Sequence, residues 1–285
     1  MRELNVMEYV DKEYEKLRDK STLLNSQENG SEPIAFTIFQ TGNNPASNKY
    51  VENKVKRLKS VGIDVNVSKH TKLDIYDRYD LIRKKDHAEY LKRPYMVQLP
   101  LSDKVKRIED NLLRISYDLD VDGLSLESKE RFYTGQKAYI PCTARGIRDY
   151  MKYIDPSLSG KSVIIINRSD LVGRPLQKLL LDEDMLVSVA HSKIERDKLI
   201  SHFKGYDYIV SGVGLPKYFK ATEIPSGCTF IDVGISFDEN GKMCGDLDTT
   251  MDCDTDFSYT PVPRGVGQLT VLSLAKNILE GVSIC

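Results

Sequence analysis

The chain has 285 residues, enough for two domains of ordinary size, with 40% hydrophobic and 29% charged residues and a formal net charge of −1. Its acids and bases are interspersed and no apolar run approaches membrane-spanning length, so neither a nucleic-acid nor a membrane partner is expected. The five cysteines are scattered without a C-x-x-C, and the charged N-terminus lacks a signal-peptide core, which together predict a cytoplasmic protein with reduced thiols and no metal site.

Met7, Val10, Tyr14 and Leu17 give the N-terminal segment an amphipathic helix, followed by a polar surface loop over Leu23–Pro33. A buried strand is expected over Ala35–Gln40, a helix over Pro45–Gly62 and a second strand over Asp64–Ser68. Leu73–Lys92 reads as helical, Tyr95–Leu99 as a short strand stopped by Pro100, and Lys104–Ile115 as helical again before DLDVDG, Asp118–Gly123. This alternation implies a parallel sheet covered by helices. A second alternation begins with a helix over Gly146–Ile154, so the boundary lies near Cys142–Arg145. Strands follow over Ser162–Ile166, Val187–Ala190, Tyr208–Ser211 and Thr229–Val233, with a helix over Pro175–Leu181 and helical material between the second and third strands. Tyr259–Pro263 reads as extended, and Gly267–Gly281 as a closing apolar helix.

Within the Pro45–Gly62 helix, Val51, Val55, Leu58 and Val61 recur at helical spacing, and Lys49, Lys56 and Lys59 fall on the solvent side. Lys54 instead lands among the valines, with Ser47 and Tyr50 on the same face. A lysine pressed against apolar surface loses hydration, which lowers its pKa and makes it usable as a general base. A snorkelling lysine is the ordinary alternative. Gln98, at the end of its strand, could bond both a substrate and a lysine, or simply cap the strand. Asp120 and Asp122 alternate onto one face of DLDVDG, where a carboxylate could accept two hydrogen bonds from a guanidine-like edge such as a pterin's. A turn aspartate before Gly123 is the alternative.

The strand–turn–helix Ser162–Leu181 offers backbone N–H groups to a pyrophosphate, although it lacks G-x-G-x-x-G. Asn167 begins the turn, Gly173 permits close approach and Pro175 suits the first helical turn. The next strand ends in His191-Ser192-Lys193 where an NAD site carries an acid, and Arg168 faces that edge, a combination that favours a 2′-phosphate. The alternative is a solvated basic loop. TPVPRGVGQLT, Thr260–Thr270, forms a stiff loop able to shape a pocket, or plain punctuation before a helix. No Ser-His-Asp order, metal-ligand cluster or Walker loop is present.

The segments PASNKYVENKVK, VQLPL, DVDG, PCTARGI, GKSVIIINRSDLVGRP, HSK, SGVGLP, IDVGI, GDLD and TPVPRGVGQLT occur in an order and spacing that resemble the methylenetetrahydrofolate dehydrogenase/cyclohydrolase family. The match runs from about Gly42 to the last helix. It implies an α/β protein of two domains with an active-site cleft between them. Residues 1–144 plus 268–285 would form the folate-binding catalytic domain, and residues 145–267 a Rossmann-like, parallel-sheet NADP-binding domain. The activity so implied is oxidation of 5,10-methylenetetrahydrofolate to the methenyl cation with NADP, then hydrolysis to 10-formyltetrahydrofolate.

The resemblance carries catalytic roles onto Lys54, Tyr50, Gln98 and Asp122, and substrate contacts onto Ser47, Leu99, Gly267 and Gln268. Cofactor contacts fall on Asn167, Arg168, Ser169, Ser192 and Ile235. It also implies a homodimer acting on tetrahydrofolate derivatives. Departures are Asn167, Arg264 and Glu130 where glycine is usual, Ser128 where asparagine is usual, and Gln268 in place of proline. A dehydrogenase-only relative, NAD-linked, is the alternative, and Lys54 with Gln98 speaks against it. In an amino-acid or shikimate-type dehydrogenase, DVDG and TPVPRGVGQLT would have no role.

Overall fold

The computed structural model describes residues 1–27, 34–70, 94–99, 116–250, 253–281 and 283–284. The chain divides into two compact units, one of Glu13–Ile140 with Leu274–Cys285 and one of Met1–Lys12 with Pro141–Ser273.

In the first, which carries Lys54, alternation along Ala35–Thr41 buries Phe36, Ile38 and Gln40 on one face of a strand. Asp64–His70 pairs with it on one side and Tyr95–Gln98 on the other, both parallel, in a three-stranded sheet. Parallel neighbours need a crossover, and the Pro45–Lys59 helix supplies the first. Its buried positions Val51, Lys54 and Leu58 continue one helical stripe into Val61. The helices expected over Leu73–Lys92 and Lys104–Ile115 lie outside the described residues.

Three local expectations in this part of the chain are corrected. The first helix runs over Val6–Gln27, past the loop expected from Leu23. Buried Ser21 continues the Tyr14–Leu17 stripe, and no glycine or proline stands before Gly30 to stop the helix. A helix over Leu126–Tyr133 was not anticipated; Ser125 caps it by accepting the Ser128 N–H at 3.1 Å. DLDVDG is not an extended segment. Asp120 makes a single parallel bridge to Tyr95, with turns on either side and Gly123 at φ 68°.

The second unit is built on a six-stranded parallel sheet in the order Arg2–Glu3, Ser258–Tyr259, Thr229–Asp232, Tyr208–Ser211, Ser162–Ile166, Leu186–Ala190. The Arg2–Glu3 strand has too few residues to show periodicity and was not read from sequence. Ile164, Ile166, Ile209, Phe219 and Phe230 fill the core on one side of this sheet. Chain order reverses beside the Ser162–Ile166 strand, whose neighbours are the next strand in sequence and the one after it. This is a topological switch point, where doubly wound sheets bind ligands beyond their strands' carboxyl ends.

The helix expected over Gly146–Ile154 begins earlier, at Cys142, directly after Pro141. Gly146 lies inside it because a Cβ there would stand 2.7 Å from the Leu269 carbonyl oxygen of the Val266–Glu280 helix. Extension ends sooner than expected after Tyr259: Val262–Arg264 is a turn, with Arg264 at φ 78°.

Buried Asn277 ties the first unit's turn to its last segment. Its Nδ2 donates to the carbonyls of Val121 (2.7 Å) and Ile140 (2.9 Å). Asn277→Leu removes both bonds and strands two buried acceptors, so it is expected to cost about 2–3 kcal/mol. Urea unfolding that left the midpoint unchanged would contradict this.

Candidate active site

Lys54 is 4% exposed. Its Nζ donates to Gln98 Oε1 at 2.9 Å and lies 3.6 Å from Met96 Sδ. The Tyr50 ring, one helical turn before it, has its centroid 4.8 Å from the amine. Strand alternation explains the acceptors, since Met96 and Gln98 share a face of Tyr95–Gln98. Gln98 Nε2 donates to the Leu99 carbonyl at 2.6 Å, which orients its amide so that the oxygen meets the lysine. A carbonyl oxygen and a π-face both favour a charged amine, while removal from water opposes it.

Gln40 belongs to the same cluster and was missed in the sequence. It stands in register with Gln98, fully buried, and its Nε2 donates to Ser47 Oγ (3.1 Å) and Asn48 Oδ1 (2.9 Å). It thereby fastens the first turn of the lysine helix to the sheet. Gln40 Oε1 has no hydrogen-bond partner among the described residues. The available signal was a glutamine closing an apolar strand, the pattern that had singled out Gln98.

The paired aspartates separate. Asp120 is buried and accepts the Ser125 N–H at 2.7 Å. Burial pushes its carboxyl above the usual range, against the pull of Ser125 and Ser128. Asp122 is half-buried in the following turn. Lys54, Tyr50 and Gln98 thus meet around one amine, Ser47 joins them through Gln40, and Asp122 stands in the turn beyond the Tyr95–Asp120 bridge.

In the six-stranded unit, Asn167 begins the turn after Ser162–Ile166. Its Oδ1 accepts the N–H groups of Ser169 (2.9 Å) and Gly173 (3.2 Å), and its Nδ2 donates to the Gly212 carbonyl (2.8 Å). One side chain therefore clips together the carboxyl ends of two neighbouring strands at the switch point. The backbone around it is tight. A Cβ on Gly173 would come 2.1 Å from the Asn167 carbonyl oxygen, and one on Gly212 2.8 Å from Asn167 Nδ2. Arg168 and Ser169 are exposed on this turn, and Ser192 and Lys193 are exposed beyond the next strand. Ile235 is 54% exposed in the loop after Asp232. Gly267 and Gln268, half-buried, open the Val266–Glu280 helix, and the space where a Gly267 Cβ would stand is open.

A tight glycine-bearing turn at a switch point, with exposed Arg168 and Ser169 on it and Ser192 and Lys193 rather than an acid directly after the next strand, fits a dinucleotide bearing a 2′-phosphate. The molecule is thus an α/β protein of two units, one of them a doubly wound nucleotide-binding fold. Comparison with known proteins narrows this. Residues 141–284 match the family model for the tetrahydrofolate dehydrogenase/cyclohydrolase NAD(P)-binding domain. The bifunctional protein FolD of Bacillus mycoides (strain KBAB4) is 35% identical over 275 residues, 96% of this chain and 93% of that one. The bifunctional FolD methylenetetrahydrofolate dehydrogenase/cyclohydrolase of Campylobacter jejuni superposes with a TM-score of 0.85 at 30% identity, covering 98% of each chain. The Trypanosoma brucei enzyme, solved with NADP cofactor and an inhibitor, gives 0.82 at 25% identity, covering 95% of this chain and 93% of that one. The chain belongs to the tetrahydrofolate dehydrogenase/cyclohydrolase family.

Asn167→Asp would keep the acceptor for Ser169 and Gly173 but set a carboxylate oxygen against the Gly212 carbonyl. A loss of about 1–3 kcal/mol is expected. Equal urea midpoints for variant and wild type would show that the clip does not hold the turn.

Proposed function

We propose that this chain oxidises 5,10-methylenetetrahydrofolate to 5,10-methenyltetrahydrofolate with NADP and hydrolyses the product to 10-formyltetrahydrofolate. Membership of the family supports the reaction class, and the observation that carries the hydrolytic step is the buried Lys54 amine on Gln98 beside Tyr50. Ser47, Leu99 and Asp122 would bind the folate, and Gly267 and Gln268 would also serve as substrate contacts. Asn167, Arg168, Ser169, Ser192 and Ile235 would serve the cofactor, the first by shaping the turn. The same reading makes the enzyme a cytoplasmic homodimer; among the described residues no helix is long and apolar enough to cross a membrane.

NADP, when bound, accepts the hydride that leaves the substrate's one-carbon bridge, and the substrate's own nitrogens stabilise the cation left behind. The protein's task in this step is alignment. Tyr50 and Leu99 flank the pteridine, and Asp122 accepts hydrogen bonds from its amino-pyrimidinone edge. In the second step water adds to the bridging carbon and surrenders a proton to Lys54, directly or through Gln98. As the C–N5 bond breaks, N5 takes that proton back from Lys54 and the formyl group remains on N10. The carbinol hydroxyl gives up its own proton to solvent as its C=O forms, so one proton is released overall for the positive charge lost. A lysine amine out of bulk water gives up its proton more readily than an exposed one, which suits this shuttle.

Lys54→Met preserves the volume of the stem and removes the amine. Hydrolysis of the methenyl compound, followed by its absorbance, is expected to fall about 10²–10⁴-fold while folate still binds. Formation of 10-formyltetrahydrofolate at the wild-type rate would overturn the assignment. Oxidation assayed in parallel is expected to run faster with NADP than with NAD.

A further inference from the structure

Two acids that the proposed chemistry does not use are sunk into the six-stranded unit. Asp232 is 3% exposed and Asp246 is 0% exposed. Asp232 ends its strand, and its carboxylate accepts the backbone N–H groups of Gly234 (2.9 Å), Asp246 (3.0 Å) and Leu247 (2.9 Å). It thus anchors both the loop that follows it and the segment bearing the second acid. Asp246, placed by these bonds, accepts from Ser211 Oγ (2.6 Å), Val213 N (2.7 Å) and Gly214 N (2.9 Å).

Glycine makes room for the pair. A Cβ on Gly234 would lie 2.2 Å from Asp246 Oδ1, and one on Gly245 would lie 2.1 Å from Asp232 Oδ2. Burial pushes Asp232 up to about 7, even against its three N–H donors, and Asp246 adds to the rise. Buried carboxylates are costly. An apolar pair could seal the same volume, but it could not hold backbone N–H groups from two loops in fixed directions.

Those loops occupy a defined place. Gly212–Leu215 and Val233–Ile235 leave the carboxyl ends of Tyr208–Ser211 and Thr229–Asp232, and both strands lie on the opposite side of Ser162–Ile166 from the strand leading to Ser192. A dinucleotide whose pyrophosphate rests on the Asn167–Gly173 turn, with its 2′-phosphate toward Ser192, must extend its other half over these two loops. Resting on the reading of this unit as an NADP site, we propose that Asp232 and Asp246 are positioning residues, a paired latch that fixes the two loops and so sets affinity for the nicotinamide half of the cofactor.

The test is calorimetric titration of the full chain with two ligands, NADP⁺ and adenosine 2′,5′-bisphosphate, which lacks the nicotinamide half. Asp246→Asn keeps the shape, but no placement of its NH₂ avoids opposing the Val213 or Gly214 N–H. Its NADP⁺ dissociation constant is expected to rise at least tenfold while that of the bisphosphate stays within twofold. Ser211→Ala, which removes one bond of the latch, is expected to shift NADP⁺ severalfold in the same direction and carries the test if the first variant does not fold. Equal losses for both ligands, or unchanged NADP⁺ binding, would overturn the latch. A wild-type chain that bound neither ligand would overturn the cofactor reading itself, and the latch with it.

Discussion

A primary amine can be kept out of water only where the protein replaces its hydration shell, and the unit bearing Lys54 is organised around that demand. The carbonyl oxygen that meets the amine comes from Gln98, whose own amide is held by the Leu99 carbonyl. The helix that delivers the lysine is tied at its first turn by Gln40, the register partner of Gln98 on the adjacent strand. Parallel pairing therefore does more than build a sheet. It sets two glutamines side by side under one helix, one holding the amine and one holding the helix that carries it.

The six-stranded unit solves a different problem, bringing main chain close to main chain at the carboxyl edge of a sheet. Gly173 and Gly212 leave no room for a Cβ beside Asn167. Asn167 gives its amide wholly to backbone partners and keeps the turn closed. Arg264 shows the opposite compromise. It holds a left-handed φ of 78° at a position where the family resemblance points to glycine, a conformation that costs a side chain of order 1 kcal/mol.

What could be read from the sequence follows from the range of each signal. The Lys54 stripe was legible because a helix repeats its face every few residues, so one charged residue out of phase stands out. The sheet strands were legible as apolar runs between breakers. Gln40 was not, since a single glutamine closing a strand looks the same whether or not it bonds a helix beyond it. The Asp120 and Asp122 pair misled because alternation assumes an extended backbone, and the turns around the Tyr95–Asp120 bridge put the two carboxylates in different surroundings. The Asp232–Asp246 pair was invisible as a pair: fourteen positions separate them in the chain, and only the folded backbone makes the N–H of one a ligand of the other.

The closing helix belongs to both units, Val266–Ser273 to one and Leu274–Glu280 to the other, and Val271–Leu279 is buried along its whole length. An emerging nascent chain would leave both cores open until this stretch clears the ribosome. Synthesis from the N-terminus therefore cannot deliver one finished half ahead of the other. The chain as far as Leu279 must be made before either half can close, and the apolar surface awaiting that helix is what a chaperone would have to shield.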